Sequence, residues 1–406
     1  MTKQNFELID LNSDFQRFVE DLLLRKNAKH FFTEISPEDE MFANAILPGY
    51  KNEVNISFFR YIESALGMFD VYQQLVETYF GDFANVDKVL DFGSGYGRLT
   101  RSLTQHLPAK NIWVSDLYSD AMAWQEQVFG VNTVVSTKDP GQFPLDQSFS
   151  VVFVGSVFSH LPDELFQRWL RRLYDLTSPD GVLVFSVHDE KLLPATSRKR
   201  MTIWGRKRER IGKNGIRYFT SSESDSLSTD IYGMTYVTEA YVRKSVEQLD
   251  SIRRVQYQRF PKALYQTQDI YVVAKKAIEN PDFTIKIPPR GGFLAMFPDA
   301  GESIKFSGWT IDLNQGHQII RFAIFCDSVR IQVSTNTTDY EEALHHYPGA
   351  PNMPLQWSFS LPAGMCQPRC LICVEFHSSC GSVGHVYATI PEGNIMPGFL
   401  KDLATC

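Results

Sequence analysis

The sequence predicts an α/β protein organised around a mainly parallel sheet, and three observations support this fold class. From Asp87 onward, short apolar segments alternate with helical ones, as they do where right-handed crossovers connect parallel strands. A glycine-rich turn at residues 93–97 directly follows the first apolar segment. Two segments of alternating polarity, 251–260 and 269–275, predict a hairpin that closes the sheet.

Length, composition and charge limit the function classes. The 406 residues predict about two to three domains. With 43% hydrophobic and 21% charged residues, the chain is expected to be globular. A formal net charge of −7 gives no overall basic field, so nucleic-acid partners are not expected. No apolar run approaches the ~20 residues of a transmembrane segment and the first residues do not resemble a secretory leader, so we expect a cytoplasmic protein.

The N-terminal part of the chain, residues 1–85, is predicted to form a helical cap. A helix capped by Asn12 or Ser13 begins it, and residues 36–39 place a proline in the first turn of a second helix. A longer helix is predicted over residues 56–79.

The glycine-rich turn is the strongest local signal in the chain. Gly93, Gly95 and Gly97 lack a β-carbon where the backbone must turn sharply and approach a ligand, and the helix that follows directs free N–H groups toward the turn. A dinucleotide-binding fingerprint requires a small residue at the position of Arg98. The chain instead has alternate glycines preceded by an acid, Asp91, so the spacing disfavours that fingerprint.

These residues resemble motif I of the class I S-adenosylmethionine-dependent methyltransferases. The resemblance implies that Asp91 lies near the amino group of the donor's methionine moiety. Asp116 ends the next apolar segment, where a carboxylate can accept hydrogen bonds from both ribose hydroxyls, and Leu117 is expected against the adenine. The predicted donor-binding residues are Asp91, Gly93, Ser94, Gly95, Gly97, Asp116, Leu117, Lys138 and Gly155.

The resemblance covers roughly residues 50–277 and implies a Rossmann-like fold. Its sheet would have seven strands, of which the last is antiparallel, and the predicted hairpin supports this arrangement. The domain itself is predicted at residues 86–278, with a substrate insertion at about 190–235. Residues 285–406 follow a Pro- and Gly-rich boundary and are predicted to form a separate domain.

Two histidines are the candidate catalytic residues. Methyl transfer is an in-line displacement at a sulfonium carbon, so the protein mainly aligns the reactants, and a base is needed if the nucleophile is a hydroxyl. His160 follows the predicted fourth strand, at the carboxyl edge of the sheet, and can take that proton. His188, at the end of the fifth strand, is the second candidate. The alternative is that His160 caps a helix or packs beneath the donor.

Candidate substrate contacts come from the cap and from the insertion. Arg60 and Tyr61 are placed to contact the methionine carboxylate or the acceptor, although they also fit an amphipathic helix. Tyr232 and Tyr236 occupy the region where related enzymes build acceptor pockets. Residues 198–210 contain seven basic residues in thirteen, which suits an anionic acceptor, a peripheral contact with acidic lipid headgroups, or a solvated loop.

All six cysteines lie in the C-terminal third, where they would suit either a zinc site or disulfides. Residues 370–376 alternate like a strand, and side chains three apart on a strand point to opposite faces. Cys370 and Cys373 therefore cannot converge on one metal. We expect reduced thiols packed as small apolar groups and no metal.

The C-terminal residues 285–406 are predicted to form a β-sandwich, because short strands alternate with Gly and Pro turns. They resemble a small module often attached to bacterial enzymes of surface-polysaccharide assembly. An exposed Trp309 or Trp357 would stack on a sugar ring, whereas a buried one would belong to the core. The predicted strands are 306–312, 319–325, 339–343 and 356–361.

The resemblances together imply methyl transfer from S-adenosylmethionine to a hydroxyl of a saccharide or glycolipid. One alternative is a small-molecule O- or N-methyltransferase, and another is a non-catalytic scaffold that binds the donor. Nucleic-acid bases are not expected as acceptors, because residues 155–158 lack the Asp/Asn-Pro-Pro-Tyr/Phe loop used for exocyclic amines.

Overall fold

The computed structural model describes residues 13–28, 30–49, 54–193, 211–220, 227–250, 255–265, 267–299, 303–345, 347 and 350–390. These residues divide into two compact units. The first contains the described part of Ala28–Ile285, and the second combines the described parts of Leu11–Asn27 and Lys286–Cys406. The first helix thus belongs with the C-terminal sheets, whereas the sequence predicted it in a cap with the residues up to 85.

The described helices follow the predicted amphipathic segments. None of these helices combines the length and apolarity needed to cross a membrane. A π-helical segment, Met41–Ile46, leads into the second helix. The helices are α1 Ser13–Arg25, α2 Leu47–Gly49, α3 Val54–Phe80, α4 Thr100–Leu103, α5 Ser119–Phe129, α6 Asp163–Asp175 and α7 Glu239–Glu247.

The long helix α3 covers the predicted segment 56–79 and packs one face into the core. Its buried side chains recur three or four residues apart, which is the period of a single helix face. Gly81 ends it with a left-handed φ of +78°, and its N–H donates to the carbonyl of Glu77 at 2.9 Å. The buried residues of that face include Phe58, Ile62, Ala65, Phe69, Tyr72, Val76 and Tyr79.

The first unit is built on one mixed sheet of nine strands. Strands β1 to β5 are mutually parallel, β9 pairs antiparallel with β5, and β8 pairs antiparallel with β9. These seven strands lie in the order β3-β2-β1-β4-β5-β9-β8, and β7 and β6 extend the end of β5. The strands are β1 Val89–Phe92, β2 Ile112–Asp116, β3 Asn132–Val135, β4 Phe149–Val154, β5 Thr177–Asp189, β6 Ile216–Phe219, β7 Met234–Val237, β8 Gln256–Leu264 and β9 Gln268–Ala274.

The predicted mixed sheet with a terminal hairpin is confirmed, and its topology determines where a ligand can bind. The strand order reverses between β1 and β4, since the chain proceeds from β1 to one side and returns to the other. In open α/β sheets, this reversal opens a crevice at the carboxyl ends of the strands. The glycine turn after β1 and the loop after β4 both emerge at this crevice.

The second unit contains two antiparallel sheets of four strands each. Their orders are β10-β11-β15-β14 and β13-β12-β16-β17, and buried side chains from both sheets form one core cluster. Within that core, the Trp357 ring lies 6.0 Å from the Phe376 ring of the other sheet. The strands are β10 Arg290–Asp299, β11 Ser303–Ile311, β12 Ile319–Cys326, β13 Val329–Ile331, β14 Asn336–Asp339, β15 Leu355–Pro362, β16 Leu371–Ser378 and β17 Val383–Thr389.

Helix α1 packs on the second of these sheets. Val19 and Leu22 are buried, and the Arg25 guanidinium lies 3.4 Å from the centroid of the Phe325 ring. Arg25 also approaches the Glu375 carboxylate at 3.8 Å. These contacts explain why the first helix, although far away in sequence, belongs to the C-terminal unit.

Two sequence expectations for this unit need correction. The predicted strand over 339–343 ends at Asp339, because Glu341–His345 forms a 3₁₀ turn instead. Cys326 and Cys370 are paired as a disulfide, whereas all the thiols were expected to be reduced. Of the two alternatives for Trp309 and Trp357, the structure shows the core one, since both side chains are buried. The predicted absence of a metal stays a prediction.

Candidate active site

The glycine turn has the backbone geometry that its sequence predicts. Gly93, Gly95 and Gly97 all adopt left-handed φ angles, of +76°, +53° and +87°. A β-carbon at Gly93 would lie 2.2 Å from Val157 Cγ2, and one at Gly97 would lie 2.3 Å from Phe129 Cε2. At Gly95, by contrast, no atom lies within 4 Å of that position. Close packing therefore requires the outer two glycines, while the middle one borders open space.

Asp116 lies at the carboxyl end of β2 and contacts this turn directly. Its Oδ2 accepts a hydrogen bond from the Gly95 N–H at 2.8 Å, and its Oδ1 accepts one from the Tyr118 N–H at 3.3 Å. Burial raises the pKa of this carboxyl, and the backbone N–H groups partly oppose that effect. Gln125 of α5 supports the other side of the turn by donating to Ser94 Oγ and to the Gly95 carbonyl, both at 2.8 Å.

The turn, Asp116 and the loop after β4 surround a cavity of about 540 Å³, a size typical of small-molecule sites. Of the predicted residues, those that line it are Gly93, Ser94, Gly95, Asp116, Leu117, Lys138, Gly155, Tyr61 and Tyr232. The predicted residues outside its lining are Asp91, Gly97, His160, His188, Arg60 and Tyr236. The predicted residues that line the cavity therefore come from six separate segments of the chain.

Asp91 lies behind the turn as a buried carboxyl group, with 4% of its surface exposed. Its Oδ2 accepts a hydrogen bond from Thr100 Oγ1 at 3.3 Å. Burial raises the pKa of Asp91 to about 7, and the nearby Asp116 carboxylate adds to the increase. A carboxyl group with such a perturbed pKa beside a cavity is typical of functional sites.

A segment of the N-terminal region, residues 30–49, covers one side of the cavity. Asp39 Oδ1 accepts hydrogen bonds from the N–H groups of Met41 and Phe42 at 2.9 and 3.3 Å, so Asp39 caps the π-helical segment. Its Oδ2 accepts from Tyr61 Oη at 2.6 Å. The helix begins later than the predicted start at 36–39, because Asp39 supplies the cap.

Arg101 connects this covering segment to the glycine turn. Its side chain is completely buried, and its guanidinium donates to the carbonyls of Phe32, Glu34 and Gly97 at 2.9, 3.1 and 3.2 Å. One cation therefore holds three backbone carbonyls from two separate segments. This residue was not predicted, because a basic residue in a helix usually indicates a solvated face.

His160 is buried behind the cavity wall, with 5% of its surface exposed. Its Nδ1 donates to the Gly233 carbonyl at 2.7 Å, and its ring stacks on the cavity-lining Tyr232 with centroids 4.5 Å apart. Burial lowers the pKa of His160 to about 4, although the Gly233 hydrogen bond partly opposes this. His188 lies 6.1 Å farther on, measured between ring centroids, and packs in turn on Tyr236.

Arg60 and Tyr236 were predicted as candidate substrate contacts, but neither residue lines the cavity. Arg60 is ion-paired with Glu63 one turn away on α3, which turns its guanidinium along the helix. Tyr236 belongs to β7 and is buried, since its ring also packs against Phe219. The basic segment 198–210 lies outside the described residues.

Arg98 lines the cavity, although no role was predicted for it beyond excluding a dinucleotide fingerprint. Its guanidinium lies 5.0 Å from the centroid of the Tyr265 ring. Tyr72 lies behind the same wall, since its Oη is 3.2 Å from the position of a β-carbon built on Gly155. The position of Arg98 directly after the glycine turn was a signal in the sequence that it could contact a ligand. Tyr72 and Tyr265 come from distant segments, and no local pattern connects them to Arg98.

Comparison with known proteins finds a matching family model and similar solved structures. A family model described as a methyltransferase domain matches residues 65–227, a range that contains the glycine turn, Asp116 and Gly155. No curated protein matches the chain.

Solved structures that are similar to the chain include three methyltransferases. An S-adenosylmethionine-dependent methyltransferase from Clostridium acetobutylicum ATCC 824 is 12% identical, with 51% of this chain and 89% of that chain covered and a TM-score of 0.34. The plantazolicin methyltransferase BamL, in complex with a desmethyl plantazolicin analogue and S-adenosylhomocysteine, is 11% identical, with coverages of 64% and 100% and a TM-score of 0.37. The glycopeptide N-methyltransferase MtfA is 15% identical, with coverages of 46% and 82% and a TM-score of 0.31.

Proposed function

We propose that this protein, an S-adenosylmethionine-dependent methyltransferase by the domain matched at residues 65–227, methylates a hydroxyl group of a saccharide or glycolipid. The enzyme class and the donor follow from the matched domain and its motifs. The identity of the acceptor is what we propose. It is supported most directly by His160, a neutral imidazole that packs against a tyrosine of the cavity wall.

The residues around the cavity fit the donor. The backbone at Gly95 borders open space, so a ligand can approach the turn there. Asp116 ends its strand at the same point and is suited to bind the ribose hydroxyls, while Leu117 offers an apolar surface for the adenine. Asp91 has a pKa of about 7, and its ionised form suits the donor's ammonium group. When bound, S-adenosylmethionine supplies an electrophilic methyl group on a sulfonium.

His160 has the protonation state that a hydroxyl acceptor requires. Because its Nδ1–H is donated to the Gly233 carbonyl, its Nε2 carries the lone pair in the neutral ring. With a pKa of about 4, the ring stays neutral at pH 7. A hydroxyl that has attacked a methyl group is a strong acid, so even this weak base can take its proton. The His188 ring lies 6.1 Å from the His160 ring, between centroids, in an edge-to-face arrangement.

The cavity lining suits a polyhydroxylated acceptor. Glu38, Glu40 and Asp120 supply carboxylates, and Tyr96 and Tyr118 supply hydroxyls, of which the Tyr118 hydroxyl donates to Glu40 at 2.9 Å. Such groups suit the alternating donors and acceptors of a sugar ring. The same cavity would also receive a small polar metabolite, so a small-molecule hydroxyl is the second candidate, supported by the cavity volume of about 540 Å³.

The acceptor class is testable by product release. Purified protein would be incubated with S-adenosylmethionine and separate panels of oligosaccharides, glycolipids and small phenols or amines, and S-adenosylhomocysteine would be measured over time. We expect turnover with the saccharide or glycolipid panel, together with a methyl ether in the product by mass spectrometry. Turnover confined to amines would contradict a hydroxyl acceptor, and turnover confined to small phenols would favour the second candidate.

A further inference from the structure

The loop after β4 contains a residue with an unusual backbone conformation. Ser156 adopts a left-handed φ of +59°, although it is not a glycine. A side chain makes this conformation unfavourable, so it is kept only where surrounding contacts hold it. Ser156 and its neighbours Gly155 and Val157 all line the cavity. The strained residue therefore belongs to the wall of the donor site.

Two side chains from neighbouring strands hold Ser156, namely Ser186 of β5 and Gln268 of β9. The Ser156 N–H donates to Ser186 Oγ at 2.8 Å, and the Ser186 hydroxyl donates to Gln268 Oε1 at 2.6 Å. Gln268 Nε2 in turn donates to Ser156 Oγ at 2.9 Å, and that oxygen also lies 3.2 Å from Gln268 Oε1. The hydrogen bonds thus form a closed ring in which each residue both donates and accepts.

The ring is buried within the protein. Ser186 has none of its surface exposed, and Gln268 has 6%. Because water does not reach such groups, loss of the Gln268 carboxamide would leave both serine hydroxyls with a missing partner. Gln268 itself lies outside the cavity lining. It therefore acts on a bound ligand only through the two serines.

The conformation of Ser156 determines the course of the loop that follows it. Val157 packs against the glycine turn, since its Cγ2 lies 2.2 Å from the position of a β-carbon on Gly93. The Val157 carbonyl accepts a hydrogen bond from the His160 N–H at 2.9 Å. A change of backbone conformation at Ser156 would therefore move both the contact with the glycine turn and the segment that carries His160.

We propose that Gln268 is a positioning residue, which holds the loop after β4 in the left-handed conformation that donor binding requires. It acts through Ser186 and Ser156 and does not contact the donor. A glycine at position 156 would adopt the same φ without strain, whereas an alanine would not. The need for Gln268 should therefore disappear when residue 156 is glycine. The inference concerns the donor alone, so it does not depend on the proposed acceptor.

The test measures the affinity for S-adenosylhomocysteine by calorimetry in three backgrounds at position 156. In the otherwise wild-type chain, Gln268→Leu should weaken binding at least about tenfold. In the Ser156→Gly background, the same substitution should weaken binding by less than about threefold, because glycine keeps the loop conformation without the ring. In the Ser156→Ala background, it should again weaken binding at least about fivefold, because alanine keeps the strain.

A second, smaller substitution tests the same ring. Ser186→Ala removes the single oxygen that accepts the Ser156 N–H and donates to Gln268. It should weaken the affinity for S-adenosylhomocysteine about threefold to tenfold, and the loss should again be smaller in the Ser156→Gly background.

Gln258→Leu is the matched control. This buried glutamine of the neighbouring strand β8 also takes part in three hydrogen bonds, with one tyrosine hydroxyl and two backbone carbonyls, and it lies outside the cavity lining. Its substitution should lower the Tm but leave the affinity for S-adenosylhomocysteine within about twofold of the wild type.

Three outcomes would overturn the inference. If Gln268→Leu causes equal losses of affinity in the Ser156→Gly and Ser156→Ala backgrounds, Gln268 does not act through the conformation of residue 156. Unchanged affinity in Gln268→Leu would exclude any positioning role. An equal loss in Gln258→Leu would mean that general destabilisation of the hairpin weakens donor binding. Thermal unfolding verifies that each variant is folded, and if Gln268→Leu does not fold, the Ser186→Ala series gives the result.

Discussion

Two buried carboxyl groups, one in each unit of the chain, have different surroundings. In the C-terminal unit, the buried Asp312 has donors on both oxygens, from Asn314 on one and from Ser378 on the other. In the first unit, Asp91 has one side-chain donor and a pKa raised to about 7, and Tyr72 has no partner among the described residues.

The carboxylates with shifted pKa values differ in the same way. Burial raises the pKa of Glu375, but contacts with His385, His377 and Arg25 outweigh it, so the net pKa is lowered and the ionised form is stabilised. Around the cavity, burial dominates instead and raises the pKa values of Asp91 and Asp116. Satisfied polar groups stabilise a fold, whereas unsatisfied ones beside a cavity indicate a ligand site. The following substitutions test that contrast.

The largest effect is expected from adding one methyl group at Gly93. Gly93→Ala requires a left-handed φ of +76° and places its β-carbon 2.2 Å from the stiff Val157 side chain, so the turn must move. We expect at least about a hundredfold loss of affinity for S-adenosylhomocysteine by calorimetry.

Gly308→Ala provides the matched change in the other unit. Its β-carbon would lie 2.1 Å from Trp357 Cζ2, so it should lower the free energy of unfolding by about 1–3 kcal/mol. Donor affinity should remain within about twofold of the wild type, because no residue of the second unit lines the cavity in the described part of the chain. Equal loss of donor affinity in both variants would contradict the contrast between the units.

The next effect concerns turnover. His160→Ala should lower kcat at least about tenfold while the donor dissociation constant stays nearly constant, because the histidine is proposed to act on the acceptor proton. His106→Ala is the control, since this histidine packs against Phe69 and Phe83 away from the cavity. If turnover is unchanged in His160→Ala, the histidine packs against Tyr232 and does not act on the acceptor proton.

A smaller effect is expected from pH. Asp91 has a pKa of about 7, so it is mostly protonated below that pH and ionised above it. The ammonium group of the ligand favours the ionised form of Asp91. Affinity for S-adenosylhomocysteine should therefore rise with pH up to about 7 and then level off. Below pH 7, the affinity should rise by at most about tenfold per pH unit. Asp91→Asn should bind more weakly and remove this part of the pH dependence. If the pH dependence of the affinity is the same in Asp91→Asn, a group other than Asp91 causes it.

The smallest effect should come from helix α1. Arg25→Ala removes a cation from the face of Phe325 and from the Glu375 carboxylate, which should lower the free energy of unfolding by about 1–2 kcal/mol. Denaturant titration followed by tryptophan fluorescence would measure this loss. Because α1 belongs to the C-terminal unit, donor affinity should not change. A change in donor affinity without a change in stability would place α1 with the cavity instead.

Much of the fold and part of the site could be predicted because the signals are local. The glycine turn, Asp91 before it and Asp116 at the next strand end are separated by regular β–α–β spacing, which the sequence displays directly. The contacts of Arg98 with Tyr265, and of Arg101 with the carbonyls of Phe32 and Glu34, depend on chain segments that meet only after folding.

The errors have the same physical origin. An amphipathic helix reveals that it has an apolar face but not which surface will cover it, so α1 was predicted with the cap. The pairing of Cys326 with Cys370 joins residues 44 apart that no spacing rule connects. The 339–343 segment was predicted as a strand, yet its acidic residues Glu341 and Glu342 begin a helical turn where the chain leaves the sheet.

The most direct measurement is the titration of S-adenosylhomocysteine into the wild type and into Asp116→Asn. The substitution preserves shape and an oxygen that can accept the Gly95 N–H, but it removes the carboxylate proposed to bind both ribose hydroxyls. We predict one binding site per chain in the wild type and at least about tenfold weaker binding in the variant. No binding to the wild type, or equal affinity in both proteins, would contradict a donor site between the glycine turn and Asp116.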